Sequence, residues 1–352
     1  MRASVRPVLP VLALVVAALL PFSALSVPGL FEGPLNSPGT LQLLAVCLVF
    51  GGLALGYDLL FGRAGLLSFG HALYIAAGAY GVSILVSHYG WALWSAALVT
   101  VLAAAMLAAL LGAVALQTSG IAFSMVTLAF AQVGHIAVSR DPGGLTGGEE
   151  GLPMLTAGLP SGLVGVMNTV NLYWLALAFL TVVVIVVHSI DRAPLGRTLS
   201  GLRDDERRVA VLGLSTFRLK LVAFVVAGAL AALGGVTYAL VAGGVSPHVA
   251  SSELTLSLIV MAVLGGAGTR WGALLGGVLY AYLDQRLARL GGSLPGPLGE
   301  PLFLLGTLFI LAVYFLPGGL AGLGSRWEPV RRALRPATTL DRNGEAQAVR
   351  QG

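Results

Sequence analysis

The residues that could do chemistry are few and scattered along this 352-residue chain. Five histidines are the obvious metal ligands or bases, but none belongs to an H-E-x-x-H motif and no two are at helical spacing. No G-x-S-x-G nucleophile elbow occurs either. These patterns indicate neither a metal centre nor a hydrolase. The histidines are His71, His88, His135, His188 and His248.

The sequence also lacks the motifs for nucleotide binding and for cysteine-based chemistry. A P-loop requires a lysine that reaches the phosphates, in the pattern G-x-x-x-x-G-K-[ST]. The only lysine, Lys220, lies between Leu219 and Leu221, so the chain has no such loop. The single cysteine, Cys47, excludes a disulfide framework and a cysteine-based metal site. We therefore predict that the chain is not an enzyme and binds no cofactor or metal.

The composition is that of a membrane protein. Hydrophobic residues make up 57% of the chain and charged residues 10%, and the mean hydropathy is +0.91. Soluble domains carry about 25% charged residues. So much apolar surface excludes a soluble enzyme and a disordered chain. The chain is basic, with a pI near 9.7. This excess of positive charge fits arginines held at one face of a membrane and does not indicate nucleic-acid binding.

Ten apolar runs are long enough to cross a bilayer, which takes roughly 20 residues each. The predicted fold class is therefore all-α, a polytopic membrane protein. Glycines at 265, 266 and 268 interrupt the eighth and ninth runs, which are either two full spans or one broken, re-entrant element near 262–272. The runs are 8–26, 40–61, 66–87, 91–116, 120–139, 171–190, 218–242, 253–268, 272–290 and 300–317.

Orientation follows from the distribution of arginine and lysine, which concentrate in cytoplasmic loops. If the N-terminus is cytoplasmic, all cations except Arg140, Arg286 and Arg289 fall inside, which predicts both termini in the cytoplasm. Arg2 and Arg6 before the first run also fit a secretory signal peptide, although its apolar length of roughly 18 residues favours a retained span.

The carboxylates argue against coupling to an ion gradient. Secondary transporters usually have an ionisable group at membrane depth. Here Asp58, Glu253 and Asp284 fall near span ends, where a capping or interfacial role is usual. An autonomous secondary transporter therefore remains the disfavoured alternative.

The loop 191–220 has the clearest helical pattern outside the spans. Five apolar residues recur at steps of 4, 3, 7 and 3, which is one face of a helix, and charged residues occupy the other faces, with Asp204 and Arg208 spaced as an i,i+4 pair. Pro194 with Gly196 can begin this helix and Gly213 can end it. Such a helix either lies on the bilayer or docks on a partner. The apolar residues are Leu195, Leu199, Leu202, Val209 and Leu212.

Six stretches, in the same order along the chain, resemble LivM-type permeases, which are subunits of ABC importers for branched-chain amino acids. The resemblance covers most of residues 40–323. The stretches are GRAGLLSFGHA at 62–72, the ends of 120–131 (GI and TLAFA), LTGG and GLP within 145–153, RDDERR, LGL and FRLKL within 203–221, VLGGAGTRWG at 263–272, and PGGLAG at 317–322.

The resemblance implies a permease subunit in the inner membrane of a bacterium. Its implied partners are a LivH-like second permease, two cytoplasmic ATP-binding subunits that hydrolyse the ATP, an extracytoplasmic solute-binding protein and membrane lipid, with no nucleic acid. The same machinery serves urea, short amides or aromatic acids in other LivM-like permeases, and this alternative stays open.

The resemblance also assigns segments. A permease domain of residues 1–323 contains a cytoplasmic coupling loop at 191–220 and an external loop at 140–170, and a cytoplasmic tail at 324–352 is expected to be partly disordered. Gln132 stands where many family members carry a carboxylate. The residues expected to couple to the ATPase are Leu195, Gly196, Leu199, Leu202, Arg203, Glu206, Arg207, Val209, Leu212 and Gly213. The residues expected along the translocation path are Ser68, Gly70, His71, Thr127 and Gln132, with helix-breaking glycines Gly265, Gly266 and Gly268.

Overall fold

Helices dominate the fold. The computed structural model describes residues 17–23, 31, 33–155, 159–163, 165, 168–269, 271–291, 301–315 and 318–326. The helices are α1 Pro38–Asp58, α2 His71–Ser87, α3 Leu93–Ala115, α4 Ile121–Ser139, α5 Thr169–Arg192, α6 Pro194–Asp204, α7 Glu206–Val211, α8 Thr216–Ala242, α9 Ser252–Gly265, α10 Gly272–Gly291, α11 Pro301–Phe315 and α12 Gly319–Arg326. Short 3-10 helices at Leu20–Phe22, Gly148–Glu150, Ser161–Leu163 and Pro247–Ala250, a π turn at Leu59–Arg63, and strands β1 Leu152–Pro153 and β2 Gly244–Val245 complete the described part.

Five helices of the described part are long and apolar enough to cross a membrane: α1 with its π turn, α3, α4, α5 and α8. They confirm the spans predicted at 40–61, 91–116, 120–139, 171–190 and 218–242. The apolar helices α2 and α9 have 17 and 14 residues, which at 1.5 Å per residue is about 25 and 21 Å. The described part is therefore predominantly helical, and the chain is a multi-pass membrane protein. Most of the run 8–26, Arg270 and the tail beyond 326 lie outside the described residues.

The centre of the bundle is formed by α1 and α8. Helix α8 packs on α2, α3 and α1, and α1 also packs on α5 and α10. Small residues permit this close packing: a Cβ on Gly52 would meet the ring of Phe179, and one on Gly228 would lie 2.7 Å from the Cβ of Ala108. Close approach of backbones is how helices associate where lipid gives no hydrophobic drive.

Helix α3 lies at the periphery. Leu98, Leu102, Met106 and Leu110 follow one another at steps of four and are each 61–63% exposed. Residues four apart share one face of a helix. This apolar stripe is the surface expected against lipid hydrocarbon.

The span predicted at 66–87 begins later than expected, because residues 64–70 are not helical and α2 begins at His71. Side chains of α4 bind the open backbone of this segment: Ser124 Oγ donates to the carbonyl of Leu67 (2.7 Å), and the amide of Phe69 donates to Thr127 Oγ1 (3.1 Å). Non-helical backbone at membrane depth requires such partners.

The eighth and ninth runs form two separate packed helices, α9 and α10, and the described residues between them, Gly266–Thr269 and Trp271, are not helical. Gly266 ends α9 with φ +107°, a conformation that residues with a Cβ rarely adopt. Thr269 closes the turn, because its hydroxyl donates to the carbonyl of Gly266 (2.6 Å) and accepts from the amide of Gly272 (3.1 Å).

The described part of the loop 140–170 is held at the end of the bundle opposite α6 and α7, which we call the hairpin end. Strand β1 pairs antiparallel with β2, which directly follows α8, with Leu152 opposite Val245. In the same loop, the Asp141 carboxylate accepts from the amide and hydroxyl of Thr146 (2.6 and 2.9 Å). These hydrogen bonds hold the pKa of Asp141 below its ordinary value.

Candidate functional site

A buried ion cluster joins α1 to α5 at the end of the bundle that carries α6 and α7, which we call the charged end. Arg63 Nε lies 2.7 Å from Asp191 Oδ1, and its Nη1 lies 3.4 Å from Asp58 Oδ2. The side chains of Asp58, Arg63 and Asp191 are 0, 6 and 12% exposed. Buried charges persist only when they are paired and hydrogen-bonded, so this cluster fixes the relative position of α1 and α5.

Two further contacts connect the ion cluster to α6 and to the turn after α9. The amide of Gly268 donates to Asp58 Oδ1 (2.8 Å), and the guanidinium of Arg203 on α6 donates to the carbonyl of Gly62 in the π turn. A Cβ on Gly268 would lie 2.7 Å from Arg203 Nη1. A displacement of α6 would therefore reach both the end of α1 and the turn at Gly266–Thr269.

The single helix predicted over 195–213 is wrong. Asp205 adopts an extended conformation that separates α6 from α7, and its carboxylate caps α7 by accepting from the amides of Arg207 and Arg208 (3.0 and 3.3 Å). The predicted Asp204–Arg208 pair is also wrong, because Arg208 Nε lies 2.9 Å from Asp205 Oδ2. An N-capping aspartate at the break competes with a continuous helix.

The apolar face predicted for this helix is turned toward the bundle. Leu199, Leu202 and Val209 are 0, 4 and 5% exposed within this chain, and Leu195 packs against the core. The prediction that this face docks on a partner is corrected, since its members are already covered. Leu212 does not belong to the face, because the break at Asp205 rotates α7 and leaves Leu212 76% exposed.

A different surface is open at the charged end. Val211 and Leu212 are 87 and 76% exposed, and Leu214 and Phe217 are 41 and 40% exposed. The basic residues around them, Arg207, Arg208 and Arg218, are exposed as well. We call these seven residues the open patch. An exposed apolar group with a basic rim is typical of a protein–protein contact.

Helix α7 is also tied to the start of α8. Lys220 Nζ donates to Glu206 Oε2 at 2.7 Å, and this hydrogen bond holds the pKa of Glu206 below its ordinary value. Gly213 lies between the two helices with φ +80°. Gly196, near the start of α6, is buried, and a Cβ there would lie 2.8 Å from the Cα of Asp191.

Four of the five residues predicted along the path are brought together, but inside the chain. Ser68, His71 and Thr127 are buried, and a Cβ on Gly70 would lie 2.6 Å from the carbonyl oxygen of Thr127. The ring of His71 packs edge-on against that of Tyr57, and within the described residues neither of its nitrogens has a hydrogen-bond partner. All four residues are covered within this chain, and Thr127 hydrogen-bonds the backbone of the 64–70 segment.

The fifth residue, Gln132, is separate from the other four. It is exposed on α4, in line with exposed Met125 and Ala129, and its amide donates to Ser252 Oγ (3.3 Å). An exposed polar amide in the middle of a spanning helix is costly against lipid. This surface of α4 is therefore suited to a partner or to a hydrated path.

Sequence reasoning assigned Asp58 an interfacial or capping role, and the structure corrects this to a buried ion pair. The sequence does show a cation close to Asp58, because Arg63 is only five residues further on. It does not show the third member of the ion cluster, Asp191, which is distant in sequence. Within the described residues no group of three or more His, Cys, Asp or Glu is placed to hold a metal ion.

Comparisons with known proteins agree with this architecture. Residues 39–313 match the family described as "Branched-chain amino acid transport system / permease component". The chain is 28% identical over 306 residues to the high-affinity branched-chain amino acid transport system permease protein LivM of Escherichia coli, covering 81% of this chain and 70% of that protein.

Two further relatives match a smaller share of this chain. The LivH permease of Salmonella typhimurium is 24% identical over 66% of this chain and 79% of its own length. The autoinducer 2 import system permease protein LsrC of an Enterobacter species is 33% identical over 37% of this chain and 40% of its own length. With the family match extending from α1 to α11, the chain belongs to the branched-chain amino acid transport permease family.

Proposed function

We propose that this chain carries branched-chain or chemically related amino acids across a bacterial inner membrane as one of two permeases in an ABC importer. The main evidence for this proposal is that the chain belongs to the branched-chain amino acid transport permease family. The absence of a P-loop from the sequence supports it, because the energy must then come from other subunits. The second permease would be LivH-like, and a solute-binding protein would deliver the solute from outside.

The proposed topology has ten spans with both termini in the cytoplasm. The permease domain is residues 1–323, with the coupling loop 191–220 inside, the loop 140–170 outside and a cytoplasmic tail at 324–352. The excess of arginines on one side supports this orientation. The charged end is then the cytoplasmic end, and the hairpin end faces the binding protein.

In this proposal the ATPase docks on the open patch, and the buried face of α6 and α7 carries its motion inward. Leu199, Leu202 and Val209 anchor the two helices on the bundle. Arg203 connects α6 to the π turn of α1, and Asp58 connects α1 to the turn at Gly268. ATP-driven displacement of α6 and α7 would thus move the ends of α1 and α9 together.

The proposed path runs between the two permeases, along the exposed surface of α4 that carries Gln132. Ser68, Gly70, His71 and Thr127 lie directly behind this surface and hold the non-helical 64–70 segment. Their contribution is to set the position of α2 relative to α4. The glycines Gly265, Gly266 and Gly268 would serve as the hinge beyond α9.

The docking surface is tested by a double substitution, Val211→Asp and Leu212→Asp. Because both side chains are largely exposed, the permease should fold normally while the ATPase no longer co-purifies and uptake is lost. Leu155→Asp, at an exposed leucine of the hairpin end, is the matched control and should retain the ATPase. Full co-purification with the double variant would contradict the assignment.

The cargo is tested on the reconstituted importer with its binding protein. ATP-dependent uptake of leucine is expected, and uptake of urea without leucine would instead favour the alternative cargo. Flux through this chain alone, without ATPases, would refute the importer assignment and favour an autonomous transporter.

A further inference from the structure

Helix α5 has one exposed face along most of its length. The exposed residues follow one another at steps of four or three, which is one side of a helix. Trp174 lies toward the hairpin end of this face, and Arg192 ends it 18 residues later, which at 1.5 Å per residue is about 27 Å. That length is close to the roughly 30 Å of a hydrocarbon core. We call this face the α5 stripe: Trp174, Ala178, Val182, Ile185, Ser189 and Arg192.

Between its ends the α5 stripe has the chemistry of a surface that faces lipid. Ala178, Val182 and Ile185 are apolar, and Ile185 is 58% exposed. Ser189 is polar, but its hydroxyl donates to the carbonyl of Ile185 in the same helix (2.7 Å) and so needs no partner outside it. A tryptophan toward one end and an arginine at the other are typical of a span that meets both membrane surfaces.

A second arginine lies beside Arg192 at the charged end. Helix α6 begins against the last turn of α5, because a Cβ on Gly196 would lie 2.8 Å from the Cα of Asp191. Arg192 and Arg197 each directly follow one of these two contacting residues, so the two arginines share one corner of the charged end. Both are exposed, and within the described residues neither has a hydrogen-bond or ion-pair partner.

The carboxylates nearby do not neutralise this pair of arginines. Asp191 is already bound by Arg63, whose Nε lies 2.7 Å from its Oδ1. Asp204 is at the other end of α6, seven residues from Arg197, which is about 10 Å along the helix. Two unpaired arginines at the end of an apolar stripe therefore complement a molecule that is anionic at the membrane surface and apolar within the membrane.

We propose that this corner binds an anionic phospholipid, with the headgroup phosphate held by Arg192 and Arg197 and an acyl chain lying along Val182 and Ile185. Arginine suits this role because its fork of donors matches the oxygens of a phosphate. The bound lipid joins α5 to the first turn of α6 from the outer side, as the ion cluster joins α1 to α5 from the inner side. The assignment to the cytoplasmic leaflet rests on the proposed topology, whereas the chemistry of the site does not.

The experiment measures lipid binding to the purified full-length permease by native mass spectrometry, during titration with phosphatidylglycerol or phosphatidylcholine of identical acyl chains. The wild type should bind phosphatidylglycerol more tightly. Arg192→Gln with Arg197→Gln should weaken that binding about tenfold or more and leave phosphatidylcholine binding unchanged, because each basic residue at the surface adds to the attraction for anionic lipid. Arg192→Lys with Arg197→Lys keeps both charges and should retain most of the preference.

The matched control is Arg207→Gln with Arg208→Gln, which removes two exposed arginines of α7 at the same end of the bundle. This variant should keep the preference for phosphatidylglycerol. An equal loss in both glutamine double variants would show that net charge alone attracts the lipid, and it would overturn the proposed site. Unchanged phosphatidylglycerol binding in the variant at Arg192 and Arg197 would overturn it as well.

Two soluble competitors separate the headgroup from the acyl chains. Inorganic phosphate and glycerophosphoglycerol, which is the headgroup without acyl chains, should not displace phosphatidylglycerol at equal concentration, because the α5 stripe contributes to binding. Displacement by either competitor would refute the lipid assignment and indicate a site for a free anion.

The same titration on the assembled importer, with leucine uptake measured in parallel, separates this inference from the proposed function. If the importer has no preference for phosphatidylglycerol but takes up leucine, another subunit covers the α5 stripe, so the inference fails and the function stands. If the preference is present but protease mapping places residues 191–220 outside the cell, the proposed topology and the leaflet assignment fail together.

Discussion

Replacing Arg63 with methionine tests the ion cluster most directly. The change keeps a long side chain but leaves the Asp58 and Asp191 carboxylates without their cation in a region where these side chains are 0 and 12% exposed. Removing one partner of a buried ion pair typically costs about 3–5 kcal/mol. That loss corresponds to roughly a hundredfold to a few thousandfold in the ratio of folded to unfolded protein.

The assay is equilibrium unfolding of the purified permease in mixed micelles. Arg208→Met is the matched control, because Arg208 is 85% exposed and its pair with Asp205 is expected to contribute at most about 1 kcal/mol. A triple variant, Arg63→Met with Asp58→Asn and Asp191→Asn, removes the stranded charges and keeps an oxygen acceptor for the amide of Gly268. It should recover most of the lost stability.

Two outcomes would refute this reasoning about the ion cluster. If Arg63→Met is no more destabilising than Arg208→Met, the cluster does not hold α1 and α5 together. If the triple variant is as unstable as Arg63→Met alone, the loss comes from packing around the side chain and the charges are not its cause.

Two further predictions concern the ends of α7 and α9. Because the Lys220 hydrogen bond lowers the pKa of Glu206 in the folded chain, its stabilisation is present above the unfolded pKa of about 4.3 and is lost as the pH falls through the folded pKa. The unfolding free energies of wild type and Glu206→Gln should therefore differ at about pH 6 and converge under acid; a constant difference would contradict the assignment. Gly266→Ala should cost about 1–3 kcal/mol, because φ there is +107° and the new Cβ would lie 2.7 Å from the Gly318 carbonyl oxygen. Gly306→Ala, in open space on α11, should be neutral or slightly stabilising in the same unfolding measurement, and equal effects at the two glycines would refute the strain argument.

Much of the architecture follows from the sequence alone. Spans such as 91–116 and 171–190 were predictable because a bilayer demands about 20 apolar residues and the requirement is local. The lack of a P-loop can be read in the same way, since a P-loop is a contiguous motif and Lys220 does not belong to one. The break at 265–268 was visible in its glycines, although whether it separates two helices was left open.

The tertiary structure decided which charged residues pair with each other and which helix faces are buried. Periodicity placed Leu199 and Leu212 on one face, but the cap formed by Asp205 breaks the helix, so one residue is buried and the other is exposed. Asp58 looked like a capping residue until the fold brought Arg63 and Asp191 against it. The sequence determined which segments are apolar enough to cross a membrane, because hydropathy is a property of contiguous residues. Only the tertiary structure determined which charges are buried together and which apolar face remains open, because those depend on contacts between residues far apart in the chain.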